Sequence, residues 1–175
     1  MKRGERDIFE FARQIQRQVS EFGLVKLEKG IQKPVALDLY SLLVTDELLK
    51  DTTQQLFYNG HYALAVEEAF KCLNNFIKSK SGIGADGADL MRTTFTPKNP
   101  TLTLNALKTD SQHDQQLGYM DIFAGSMTGI RNPRAHEHKY LDEPQVALEM
   151  LALANHLIRM ARNSNKKRRK SRKTP

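Results

Sequence analysis

HYALAVEEAFKCLNNFIKSKSG, residues 61–82, decides how the chain is read. Tyr62, Ala65, Val66, Ala69, Phe70, Leu73, Phe76 and Ile77 recur at steps of three and four, which places them on one side of a helix. Gly82 is a natural stop for that helix. Cys72 falls inside the run and reads as a small buried apolar residue rather than a reactive thiol.

Upstream of this helix, Thr45 reads as an N-cap, with Asp46 and Glu47 in the favoured first turn. Leu48, Leu49, Leu56 and Phe57 follow at helical spacing, and Asn59-Gly60 ends the segment. Two helices joined by so short a turn pack as an antiparallel pair. Residues 35–44, VALDLYSLLV, suit a helix or an extended segment equally well. Further back, Ile8, Phe9, Ala12, Ile15, Val19 and Phe22 describe one more helix face, so residues 1–44 read as an N-terminal helical extension.

Downstream, residues 82–111 are rich in Gly, Thr, Pro and Asn and read as a connector with one short helix near residues 88–95. Residues 112–130 form a helical run through Leu117, Met120, Phe123, Ala124 and Met127, punctuated by Gly118, Gly125 and Gly129. Such small residues permit close helix approach at a cost in helix stability. Asp142 is placed to cap the last helix, with Pro144 in its first turn where no hydrogen bond is lost. Val146, Leu148, Met150, Leu151, Leu153, Leu157, Ile158 and Met160 make that helix apolar nearly all round, which predicts a central position. No convincing strand pair is visible, so the fold class is all-α, an antiparallel helical bundle over residues 45–162.

The net charge of +7 belongs to one place. Residues 163–175, NSNKKRRKSRKTP, hold seven of the 27 basic residues and no acid, which leaves 20 basic against 20 acidic residues elsewhere. This stretch cannot bury apolar surface and reads as a disordered basic tail. Lys166, Lys167, Arg168, Arg169 and Lys170 either hold a polyanion without reading its sequence or serve solubility. A single cysteine, no apolar signal region in MKRGERDIFEF and no apolar run near 18 residues point to a cytoplasmic protein without a membrane partner.

Several motifs fail on context. Gly82, Gly84 and Gly87 match G-x-G-x-x-G, but they follow a long helix rather than a strand. His136 and His138 flank Glu137 without the spacing or the cysteines of a zinc site, so no metal and no cofactor are expected. Ser111 and Ser126 lack the strand-to-helix elbow of a catalytic serine. What remains is GIRNPRAHEH, residues 129–138. Cations near a helix C-terminus account for Arg131 and Arg134, and Pro133 for the stop. They do not account for a titratable ring beside an acid.

Arg131 and Asn132 followed by His136 resemble the R-x4-6-H motif of the HEPN superfamily. YNGHYALAVEEAFK (58–71), DGADLMRTTF (86–95) and GIRNPRAHE (129–137) resemble, in order, a small bacterial family within it, some of whose members are linked to phage defence or abortive infection. The resemblance implies a HEPN-like bundle that forms a homodimer, with a metal-independent ribonuclease site at the interface. Arg131, Asn132 and His136 carry over as the catalytic residues. RNA is the implied substrate, and an antitoxin or other defence-system protein the implied partner. The alternative is a non-catalytic dimer module that binds RNA or protein.

The residue types suit the chemistry. RNA cleavage without metal needs a base for the 2′-OH, an acid for the leaving 5′-oxygen and a cation for the phosphate. Histidine serves both proton roles near neutral pH, and a two-fold dimer supplies it twice. Arg131 would grip two phosphate oxygens with its fork. Asn132 would bond the phosphate or orient the ring. On a straight helix Arg131 and His136 lie about 140° apart, so a break at Pro133 is expected to bring them together. Arg134 would contact RNA or face solvent, and Glu137 is read as non-catalytic.

Overall fold

The computed structural model describes residues 35–137 and 143–166, with side chains described from residue 39 onward. The chain divides into two units, residues 1–43 and 44–175. In the first, Val35–Leu43 forms helix α1, which resolves the ambiguity of that stretch in favour of helix. The amphipathic run over residues 8–22 lies outside the described residues, as does Asp142.

In the second unit, α2 spans Glu47–Tyr58 and α3 Tyr62–Ser81. Asp46 rather than Thr45 is the N-cap of α2, its carboxylate accepting from the Leu48 amide at 3.2 Å. The cap moves by one residue for a tertiary reason. The backbone amides of Thr45 and Asp46 both donate to Asn155 Oδ1 at 2.9 Å. Asp46 also accepts three hydrogen bonds from Arg162 at 2.8–3.0 Å. Asn59 and Gly60 close α2, with Gly60 at φ 79° and its amide donating to Phe57 O, before the chain turns back into α3.

Of the stripe read from residues 62–77, Ala65, Val66, Ala69, Phe70, Leu73 and Ile77 are buried on α3, while Tyr62 and Phe76 are half-buried. Gly82 ends the helix in the left-handed region at φ 75°, a conformation that suits glycine. Helix α4 covers Gly87–Phe95 and α5 covers Asp110–Ser126. Thr109 caps α5 by accepting from the Gln112 amide at 3.3 Å. Phe95 and Phe123 stack at 4.5 Å between ring centroids to join α4 and α5. Buried Gln116 clasps the connector. It donates to Phe95 O and Leu102 O at 2.8 and 3.0 Å and accepts from the Leu104 amide at 2.9 Å.

After α5 come a π-helical turn, Met127–Arg131, and a short helix α6, Asn132–His136. The last helix, α7, runs Pro144–Asn163. It buries Ala147, Leu148, Leu151, Ala154, Leu157, Ile158 and Ala161 but leaves Val146 exposed and Met150, Leu153 and Met160 half-exposed. The central position expected for it belongs to α3, which packs against α2, α4, α6, α7 and the π turn. Apolar content all round a helix did not make it the hub.

Two further expectations change. Leu102–Thr103 (β1) pairs antiparallel with Asn165–Lys166 (β2), a two-residue ladder too short to show as a pattern. Residues 163–166 are therefore part of the fold, and the tail without described structure starts at residue 167. Lys80 fixes this end by donating to the carbonyls of Ala161, Arg162 and Ser164 at 2.6–2.8 Å, satisfying groups that a helix C-terminus leaves open. Gly118, Gly125 and Gly129 serve no close helix approach, since a Cβ on any of them would meet nothing within 4 Å among the described residues.

Candidate functional site

The site is built where α5 runs out. Pro133 has no N–H, and within a regular helix its ring would collide with the carbonyl four residues back, that of Gly129. The chain meets this by widening one turn. The Asn132 amide bonds to Met127 O, five residues back, and the π turn spans the residues over which the conflict falls. The hydroxyls of Ser126 and Thr128 bond back to Phe123 O and Ala124 O at 2.8 and 3.1 Å, an arrangement that also bends helices. Proline then sits in the first turn of α6, where it costs little.

The widened turn packs on α3 and α4 and carries Arg131 at its end. The Arg131 side chain is half-buried. Its Nη1 donates to Asn132 Oδ1 at 3.3 Å, and its Nε is buried with no hydrogen-bond partner among the described residues. A buried donor left unpaired costs about 1–3 kcal/mol, so such an atom calls for a reason.

Asp86 stands opposite. Asn74, buried on α3, donates from its amide nitrogen to the Asp86 carboxylate, and its oxygen accepts from the Gly87 amide at 3.0 Å. The Asp86 carboxyl is held below the usual carboxylate range. The Asn74 amide is the largest cause; burial opposes it, and the Gly87 amide and the charges of Lys78 and Arg131 add to it. One ionised carboxylate is thus faced by two cations from different elements.

The remaining residues of the motif separate. Arg134 is buried, 9% exposed, and donates from Nη1 to Ile130 O at 2.8 Å. It braces the π turn and is mostly buried, so it is not the solvent-facing charge that the sequence allowed. His136 is exposed at the end of α6, and the Glu137 after it turns extended at φ −100° and ψ 103°. Pro133 does not break the path between Arg131 and His136. Arg131 and Asn132 have right-handed helical angles, φ −69° and ψ −49°, then φ −63° and ψ −43°. Five residues at about 100° each leave the two side chains about 140° apart around the axis. The expected convergence within one chain does not occur: Arg131 lies on the turn against α3 and α4, while His136 faces solvent. The structure brings Arg131 together with Asn132, and its charge reaches the Asp86 carboxylate.

Of the basic tail, Lys166 is described and is exposed on β2. Lys167, Arg168, Arg169 and Lys170 lie outside the described residues, as does His138. Among the described residues no three of His, Cys, Asp and Glu gather in a way that would hold a metal ion. No helix among them is long and apolar enough to cross a membrane.

Reading the sequence missed Asn74, Lys78 and Asp86. Asn74 does leave a trace, as an amide between Leu73 and Ile77 on a buried stripe, where a polar group requires a partner. Asp86 looked like part of a glycine-rich loop, and nothing local told its role. Cys72 is half-buried, with burial raising its thiol pKa, so it is not an activated nucleophile.

Comparison with known proteins gives one match. A family model described as a protein of unknown function (Hypoth_ymh) covers residues 44–160. That span begins where the second unit begins. No curated protein and no solved structure matches the chain.

Proposed function

The chain belongs to this Hypoth_ymh family of unknown function, and from its own site we propose that it is a metal-independent endoribonuclease of the HEPN type, working as a homodimer. One observation carries the reading: Arg131, half-buried on the widened turn, has its Nη1 steadied by Asn132 and forms no ion pair with another described residue. A phosphodiester oxygen is the acceptor that such a fork fits.

Arg131 and Asn132 hold the phosphate. His136 is exposed and therefore open to a second copy of the chain. Across a two-fold axis the His136 of one protomer takes the proton of the 2′-OH as O2′ bonds to phosphorus. The other gives its proton to O5′ as the P–O5′ bond breaks, leaving a 2′,3′-cyclic phosphate. The helical path between Arg131 and His136 makes the second protomer necessary, because one chain does not bring the two together. The cytoplasm would hold both the RNA and an antitoxin or other defence-system partner.

The same separation favours a second reading, a dimer that binds RNA or protein without cleaving it. Incubating the purified protein with total RNA in EDTA distinguishes them. The nuclease reading expects cleavage with cyclic-phosphate ends, abolished in His136→Ala while the fold and dimer persist. Retardation of RNA without cleavage supports the second reading, and full activity in His136→Ala removes the assignment.

A further inference from the structure

The C-terminal half of α3 gathers positive charge that the catalytic reading leaves unused. Asn74 and Lys78 lie one turn apart on the same side of α3. Gly82, whose amide bonds to Lys78 O at 2.9 Å, continues that side by another turn. The Lys166 ammonium sits 3.6 Å from where a Cβ of Gly82 would project, and thus extends the line from a different element. At the other end, the Asn74 side chain holds Asp86, with Arg131 beyond it on the π turn. Lys80, on the neighbouring side, is spent on the α7 carbonyls. Lys78 and Lys166 form no ion pair with another described residue. The charges of Lys78 and Arg131 both act on the Asp86 carboxylate, one anion against two cations.

We infer that Arg131, Lys78 and Lys166 form a track for the sugar-phosphate backbone of single-stranded RNA, leading from the motif turn to the end of β2. Four residues of α3 rise about 6 Å, so Lys78 and the Gly82 position beside the Lys166 ammonium lie one turn apart on the same side of the helix. No side chain on the track reads bases, so binding is independent of sequence and strongly dependent on salt. The basic residues from Lys167 onward continue the same charge from the end of β2. The track rests on the ribonuclease reading only for the class of ligand.

The test measures the affinity of the full chain carrying His136→Ala for a short labelled oligouridylate at several salt concentrations. Each of Lys78→Ala and Lys166→Ala should make the plot of log affinity against log salt shallower by about 0.7, the value for one phosphate contact on a single strand. Lys98→Ala, an exposed lysine outside the track, should leave the slope unchanged. Unchanged slopes in both track variants, or an equal change in Lys98→Ala, would overturn the track. Cleavage by the unsubstituted protein is scored separately. If it cleaves nothing while Lys78→Ala and Lys166→Ala flatten the slope, the track stands and the nuclease reading falls.

Discussion

Asn74 shows what one amide does for the site. Its nitrogen and oxygen are both engaged, by the exposed Asp86 carboxylate and by the Gly87 amide, while Asn74 itself is buried. Asn74→Ala should therefore lose about 1–3 kcal/mol of stability, read in a denaturant titration. It should also change the response to acid. Because the folded Asp86 pKa lies below its ordinary value, its ionised form favours the folded state. That contribution is fully present above about pH 4 and disappears as pH falls through the lowered folded pKa. Melts across this acid range should fall less steeply for Asn74→Ala than for the unsubstituted chain, and equal pH dependence would deny Asp86 its tie to Asn74. Residues of this kind divide legible from illegible positions. The apolar identities of Leu73 and Ile77 announced their burial, because helical spacing alone places them. Arg134 announced a surface, yet it lies buried with its guanidinium on the carbonyl of Ile130, and residue type alone gives no sign of that partner.

Helices with one clear stripe were readable as helices, and α3 kept the face and the Gly82 end that its spacing gave. Boundaries set by tertiary partners were not. Thr45 lost the capping position because Asn155, 110 residues away, takes its amide and that of Asp46. The π turn was illegible for a different reason: it settles a conflict between Pro133 and the helix before it, and either a break or a wider turn settles it. The sequence reading took the break. Pro133→Ala restores a donor and removes the collision with Gly129 O, so the wide turn loses its local cause. Reverting to a regular helix would turn Arg131 by about 100° relative to α5. RNA affinity in that variant should drop at least tenfold in fluorescence anisotropy while the thermal midpoint holds or rises. Undiminished affinity would show that the wide turn does not depend on the proline.

Taken whole, the second unit, the family match and the R-x4-H turn coincide over one stretch of chain, and that stretch is a helical bundle with α3 at its middle. The proposed site, divided between two copies, would make activity a property of protein concentration. Specific activity on RNA should rise with concentration and level off as light scattering reports the dimer, while activity strictly proportional to protein at all dilutions of a monomer would contradict the shared site. The bundle also has an uneven stiffness. Helix α5 buries a narrow face, and its Gly118 and Gly125, with Gly129 in the turn that follows, have open space where a side chain would be. Each forgoes about 1 kcal/mol that alanine would return to a helix. The helix that leads into Arg131 thus holds less helix-forming free energy than its length allows, and in the proposed complex a strand of RNA would bear on that weaker rod.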